Sequence, residues 1–396
     1  MSKVPKIHVW MPDVFQFKGG IQVYSAFFIQ ALERILPDSD RHVFLKNDAK
    51  STDDLQFNPD TKFQFAGQWK YSWLHTPVFA FQVFLAALQE RPDLIICGHI
   101  NFSPLALQIL KLLKIPYWVV VYGIDAWDIQ DAARINGLKA AEKIISIGEY
   151  TRDRIVIEQK ISPECIPLLP VTFNASQFII QSKPQYLLDR YQLDKNQDII
   201  LTVARLAGGD RYKGYDQIIQ SLPIIRQQIP NIHYLLVGKG DDRDRVEAII
   251  DSTNVRDCVT LTGFVSVEEL GDHYNLCDVF AMPSKGEGFG IVYLEALACG
   301  KPTIGGNQDG AIDALCHGKL GALVNPDDVD EIAQTITQIL QGTYPNLLMY
   351  QPQALRQAVI DTFGFEQFQK TLAGYLQNYE ASRELASQKP ENKFPV

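Results

Sequence analysis

Short apolar runs alternate with longer amphipathic ones along most of the chain. "KIHVWM" (6–11) predicts a strand, and "GGIQVYSAFFIQALERIL" predicts a glycine loop and a helix after it. "RHVFL" (41–45), "DLIICG", "YWVVVYG" and "KIISIG" follow as strands. The helix "SPLALQILKLLK" and a second helix near 131–142 separate the later ones. Strands this continuously apolar must be covered on both faces. Their alternation with helices indicates βαβ units and a parallel sheet.

The rhythm breaks at "LPVTFNASQFIIQSKPQYL" (169–187), where two prolines and mixed polar residues predict a linker. It restarts with "DIILTVAR" (198–205), the helix "GYDQIIQSLPIIRQQ", and the strands "HYLLVG", "CVTLTG", "DVFAMP", "KPTIGG" and "GALVN". The expected architecture is α/β: two doubly wound, Rossmann-like domains over residues 1–180 and 181–365. A C-terminal helix and a polar tail follow over 366–396. Ligands of such sheets bind at the carboxyl ends of the strands, so the predicted site is a cleft between the domains.

Composition narrows the function. The chain has 396 residues, 46% of them hydrophobic, and a net charge of -9. That balance argues against nucleic acid as a partner, which needs a basic surface. Six cysteines contain no CxxC pair and read as reduced thiols. The N-terminus lacks an apolar leader, and the longest apolar run, "PVFAFQVFLAAL" (77–88), is too short to span a bilayer. A cytoplasmic protein is expected, and core packing is the favoured role for that run.

The chemistry concentrates in "KGEGFGIVYLEALACGKPTIGG", from Lys285. A buried strand leads into a loop with Gly286, Gly288 and Gly290, and then into a helix stopped by Gly300 and Pro302. Such a turn aims free N–H groups and a positive helix end at an anion. Glu295 lies inside this helix among apolar neighbours. A carboxylate there is costly unless it is hydrogen-bonded, and its two oxygens match the vicinal diol of a ribose. The plainer alternative is a solvent-facing side chain. Glu287, in the loop, would reach what lies beyond the phosphates. Arg205 closes a strand and Lys213 follows a second glycine loop. Together they suit a diphosphate leaving group. Gly263, Phe264 and Val265 end another strand and offer an aromatic face to a base, although a core phenylalanine is the commoner reading.

Glu287 and Glu295 as E-x7-E, Arg205 with Lys213, and the "GFV" turn resemble retaining glycosyltransferases of family 4. These have the GT-B fold and include bacterial enzymes of polysaccharide and glycolipid synthesis. The resemblance spans nearly the whole chain and is strongest over 198–325. It implies transfer of a sugar from a nucleotide-diphosphate sugar to a hydroxyl, with retained anomeric configuration and no required metal or other cofactor. Carried over, Glu295 holds the ribose, Glu287 the donor sugar, and Arg205 and Lys213 the diphosphate. Gly288, Phe289 and Gly290 offer backbone N–H groups. The first domain binds the acceptor, and the last helix crosses back to it.

In the first half, the resemblance places Gly19 and Gly20 against the donor phosphate. It sets His99 facing the reacting sugar, so Glu287, His99, Arg205 and Lys213 form the expected catalytic set. Asp125 is expected on the acceptor side. Tyr122 stands where the family more often has histidine, which leaves its role open. Glu149, with Arg152, lies at a strand-to-helix turn near the acceptor.

A nicotinamide dehydrogenase fits poorly, because the first strand lacks G-x-G-x-x-G spacing. The Asp-x-Asp string at 38–40 lies in a helix-to-strand turn. A non-catalytic nucleotide-binding subunit is the alternative from another class. On family frequency the expected donor is a UDP-sugar, UDP-glucose first, with GDP-mannose as the alternative. The acceptor is expected to be a saccharide or lipid-linked saccharide, with peripheral contact at the inner membrane face left open.

Overall fold

A computed structural model describes residues 4–15, 19–51 and 55–388. Among these residues twelve strands form two parallel six-stranded sheets. The first holds β1 (Lys6–Met11), β2 (Asp40–Leu45), β3 (Lys62–Phe65), β4 (Leu94–Cys97), β5 (Tyr117–Val121) and β6 (Lys143–Ser146), in the order β3-β2-β1-β4-β5-β6. The second holds β7 (Asp198–Val203), β8 (Ile232–Val237), β9 (Val259–Gly263), β10 (Val279–Met282), β11 (Thr303–Gly306) and β12 (Ala322–Val324), in the order β12-β11-β10-β7-β8-β9. Each order reverses beside its first strand, between β1 and β4 and between β7 and β10. Those are the switch points where the loops part and a ligand fits.

The apolar strands are buried as their composition requires. β4, β5 and β8 bury every residue, the mark of a sheet covered on both faces. β3 falls where no strand is predicted. It is a short edge strand whose residues are half-buried or exposed, so it lacks the apolar run that marks the others.

Packing divides the chain into two compact units that are not continuous in sequence. One is Met1–Gly98, Leu105–Trp118 and Phe365–Val396; the other is His99–Pro104 and Val119–Gly364. Within the first, the C-terminal helix Phe365–Gln388 lies against the helix Gly20–Ile35. Tyr24 and Phe368 meet edge to face at 5.4 Å, and Arg34 sits over the Phe365 ring. The Tyr379 hydroxyl donates to the Asp93 carbonyl at 2.7 Å. Within the second, a core of Ile218, Leu222, Tyr234, Val279 and Ile336 fills the space around the second sheet. The cysteines are free thiols.

Candidate functional site

The site is built at the switch between β7 and β10. After β10 the chain turns through Pro283–Gly290 into the helix Ile291–Ala298. Gly290 opens this helix at φ +90, and a Cβ there would stand 2.5 Å from the Tyr293 ring, so only glycine fits. The loop is enclosed by backbone. A Cβ on Gly288 would lie 1.9 Å from the Tyr122 carbonyl oxygen, and one on Gly310 would lie 2.1 Å from the Gly288 carbonyl. The N–H groups of Gly288, Phe289 and Gly290 donate to no acceptor among the described residues. Three successive open donors at a helix start suit an anion. The Phe289 ring itself is core, packed edge to face on Phe363 at 5.5 Å.

Sequence reasoning missed the residue that shapes this loop. Asp309, fully buried, accepts through Oδ2 from Ser284 Oγ at 2.7 Å and from the N–H groups of Gly286 at 2.8 Å and Glu287 at 2.7 Å. Its Oδ1 accepts from Ala311 N–H at 2.9 Å. Burial raises its pKa, and the donors from Glu287, Ser284 and Ala311 oppose the rise. Asp309 lies 22 to 25 positions from the loop residues it holds, and no local pattern marks it.

The cations and the first glutamate were expected to act on different parts of a ligand. In the structure Lys213 Nζ is hydrogen-bonded and ion-paired to Glu287 Oε2, with both side chains mostly buried. Burial opposes the charge on Lys213, but the adjacent Glu287 carboxylate, then Tyr212, holds its pKa above the ordinary lysine value. Lys213 Nζ also sits 5.1 Å from the Tyr212 ring centroid. Arg205, after β7, is exposed and ion-paired to Asp210 at 2.9 Å. Each cation therefore has a carboxylate partner before any ligand arrives.

Glu295 is buried, as its apolar neighbours imply, which rules out the solvent-facing alternative. Tyr274 donates to its Oε2 at 2.7 Å, and Oε1 has no hydrogen-bond partner among the described residues. Burial pushes this carboxyl up to about 7, against the pull of the Tyr274 bond. Phe264 is not a core residue. It is 67% exposed, with Lys239 Nζ 4.8 Å from its ring centroid. Gly263 before it takes φ +77, with open space where a side chain would be, and Val265 is half-buried.

His99 caps the short turn Ile100–Phe102, its Nδ1 accepting from Asn101 N–H at 3.1 Å, and its ring lies 6.3 Å from that of Tyr122. Asp125 folds back on its own loop. Its Oδ1 accepts from Tyr122 N–H at 2.9 Å, while Oδ2 is enclosed without a hydrogen-bond partner among the described residues. Burial pushes its carboxyl up to about 7. Glu149 opens the helix Glu149–Gln159 and pairs with His317 at 3.2 Å; Arg152 lies 3.8 Å from it. Asp313, also missed from sequence, accepts from Tyr150 N–H at 2.9 Å, at the positive end of that helix. Gly19 and Gly20 belong to the other unit, where Gly20 is exposed with open space around it.

Two groups of metal-ligating side chains that are distant in sequence also come together, His8 with His42 and Glu90, and Glu149 with Asp313 and His317. In the first, Glu90 accepts from both rings, at 2.9 and 3.1 Å, which accounts for the grouping as hydrogen bonding.

This arrangement can neutralise a diphosphate, bind a diol and face a base. Residues 187–356 match the family model of glycosyl transferases group 1. A GDP-mannose-dependent alpha-(1-6)-phosphatidylinositol monomannoside mannosyltransferase of Mycolicibacterium smegmatis is 30% identical over 50% of this chain and 53% of its own. The chain spans about half the length of the curated relatives it matches. Among solved structures, sucrose-phosphate synthase of Thermosynechococcus elongatus superposes with a TM-score of 0.73 at 22% identity, covering 97% of this chain and 100% of that one. HepE of Anabaena, solved with UDP and glucose, superposes with a TM-score of 0.75 at 18% identity, covering 94% and 100%. The fold is GT-B, with two Rossmann-like sheets. The matched stretch contains β7 to β12 and every candidate residue from Arg205 to Glu295.

Proposed function

We propose that the protein is a glycosyltransferase. It moves a hexose from a nucleotide-diphosphate sugar to a hydroxyl of a saccharide or lipid-linked saccharide, with retention of configuration and no bound metal. The observation that carries this reading is the run of three N–H groups at Gly288–Gly290 that find no acceptor among the described residues, beside the Lys213–Glu287 pair. The N–H groups and Lys213 face the diphosphate, joined by Arg205. Glu295 takes the ribose diol, Phe264 the base, and Glu287 the sugar. As the bond to the anomeric carbon breaks, negative charge grows on the diphosphate and positive charge on the sugar. Fixed donors already aimed at the diphosphate stabilise that separation without reorganising. The departing diphosphate takes the acceptor's proton on the face it leaves.

UDP-glucose is the favoured donor. GDP-mannose is the second reading, supported by the GDP-mannose dependence of the Mycolicibacterium relative. Polysaccharide or glycolipid synthesis in the cytoplasm, with peripheral contact at the inner membrane face, fits such an acceptor. Among the described residues no helix is long and apolar enough to cross a membrane.

The test is a melting-temperature screen with UDP-glucose and GDP-mannose, followed by donor hydrolysis and NMR of the product anomer, each with and without EDTA. Stabilisation with turnover unaffected by EDTA and a retained anomer is the expected result. Tight binding without turnover would favour the non-catalytic nucleotide-binding reading.

A further inference from the structure

The helix Ser72–Glu90 packs one face on the first unit through Phe79, Val83, Ala86 and Ala87. Its other face is bare. Trp73, Phe81, Leu85 and Leu88 are exposed, Trp73 by 72% and Phe81 by 68%. With Pro77, these positions follow the helical repeat at i, i+4, i+8, i+12 and i+15, so they form one stripe. Leu74, Val78 and Phe84, half-buried, flank it. Core packing was the expected role of this run, and it accounts for only one side. A continuous exposed apolar stripe marks a docking surface.

We infer that this face lies in the interfacial layer of a lipid membrane. Two observations select lipid over a second copy of the chain. The helix is 19 residues long, or about 28 Å at ~1.5 Å per residue, so a stripe ~10 Å wide offers roughly 300 Å². A stable dimer needs about 800 Å² from each partner. The second observation is charge and composition. No acidic residue occurs between Trp69 and Gln89, so an anionic surface meets no repulsion there. Glu90, at the helix end, is held by His8 and His42. At the other end Trp69, Tyr71 and Trp73 are exposed beside Lys70. Aromatic rings with a polar edge, next to a cation, belong at headgroup level, while Phe81, Leu85 and Leu88 reach the acyl boundary. This assignment deepens, and rests on, the peripheral membrane contact proposed above. It names the face that makes the contact.

The experiment is flotation of the whole chain with vesicles of phosphatidylcholine and phosphatidylglycerol, and with phosphatidylcholine alone. The unaltered protein floats with the mixed vesicles. The pair Trp73→Glu and Phe81→Glu lowers partitioning ~100-fold, since each side chain removed from the interface is worth roughly tenfold. Both positions are exposed, so the melting temperature stays unchanged. Ile157→Glu, at a 76% exposed position in the other unit, floats like the parent. Failure of the parent to float, or equal flotation of the double variant, overturns the assignment. So does a dimer by light scattering that the same two substitutions dissolve. Donor hydrolysis measured without lipid separates the two proposals. A chain that floats through this face yet turns over no nucleotide sugar sinks the function and leaves the docking face standing.

Discussion

After β1, the N–H groups of Val14 and Phe15 donate to Asp48, at 2.6 and 3.0 Å. After β10, those of Gly286 and Glu287 donate to Asp309, at 2.8 and 2.7 Å. Each sheet thus pins a loop at its switch point with one buried carboxylate, but the two loops carry different cargo. The first presents Val14 and Phe15, both buried, with Phe15 edge to face on Phe57 and Phe63. The second presents three open N–H groups and Glu287. The shared backbone device sets where a loop sits. The side chains and free donors at the pinned residues decide whether that stretch packs or presents donors.

The comparison breaks most visibly at Lys213. Lys213→Ala should lower turnover ~10²–10³-fold, the cost of one charge-stabilising group in a transition state, with a smaller effect on nucleotide affinity. Near-normal turnover in steady-state assays would remove the ion pair from the mechanism. Glu287→Gln should keep nucleotide binding and lose transfer.

Removing the two pins comes next. Asp309→Ala strands at least two N–H groups, each worth ~1–3 kcal/mol, so denaturant unfolding should show a loss of about 3 kcal/mol together with weakened donor binding. Asp48→Ala should destabilise the fold to a similar degree but cost less nucleotide affinity in calorimetry. Equal loss of affinity in both variants would erase the distinction between the loops.

Glu295→Ala should weaken nucleotide binding by ~1.5–3 kcal/mol, the range for a hydrogen bond to a charged group. The pH dependence sharpens the test. The diol donates to an ionised carboxylate, so affinity for a nucleotide sugar should rise as pH climbs through about 7, and Glu295→Gln should flatten the curve. Ligand-free stability runs the other way. Folding favours the protonated form, so this residue's contribution is full below the ordinary carboxylate value and is lost as pH rises through about 7. The smallest effect is expected at Phe264. Its replacement by alanine should cost ~1 kcal/mol of nucleotide affinity and leave the melting temperature unmoved, because the ring is exposed.

Much of this was legible in the sequence. The strands announced themselves because both sheets are covered on two sides, which forces Ile, Leu and Val into unbroken runs. The glycine loop and Glu295 were legible because special backbone angles and a carboxylate among apolar residues are local anomalies. β3 was not, since an edge strand needs no apolar run. Asp309, Tyr274 and Asp313 were invisible for a different reason. Their meaning lies in a partner brought near by the fold, such as Tyr274 to Glu295 across 21 positions. The pairing of Lys213 with Glu287, 74 positions apart, was hidden in the same way. The exposed stripe on Ser72–Glu90 has a composition that suits a core helix equally well, and only its environment separates the two.

On the proposed reading, the Lys213–Glu287 pair also works as a filter. Free phosphate that captured Lys213 would leave Glu287 enclosed and without a counter-charge, a state costlier than the resting one. A lone sugar that captured Glu287 would strand the lysine. On the proposed reading, a molecule carrying both a phosphate and a hydroxylated ring satisfies both members in one exchange. The occupied pair therefore tests for two chemical groups joined in one molecule. By the same rule the spent nucleotide, having lost its sugar, holds only half of what the pair demands, which favours its departure.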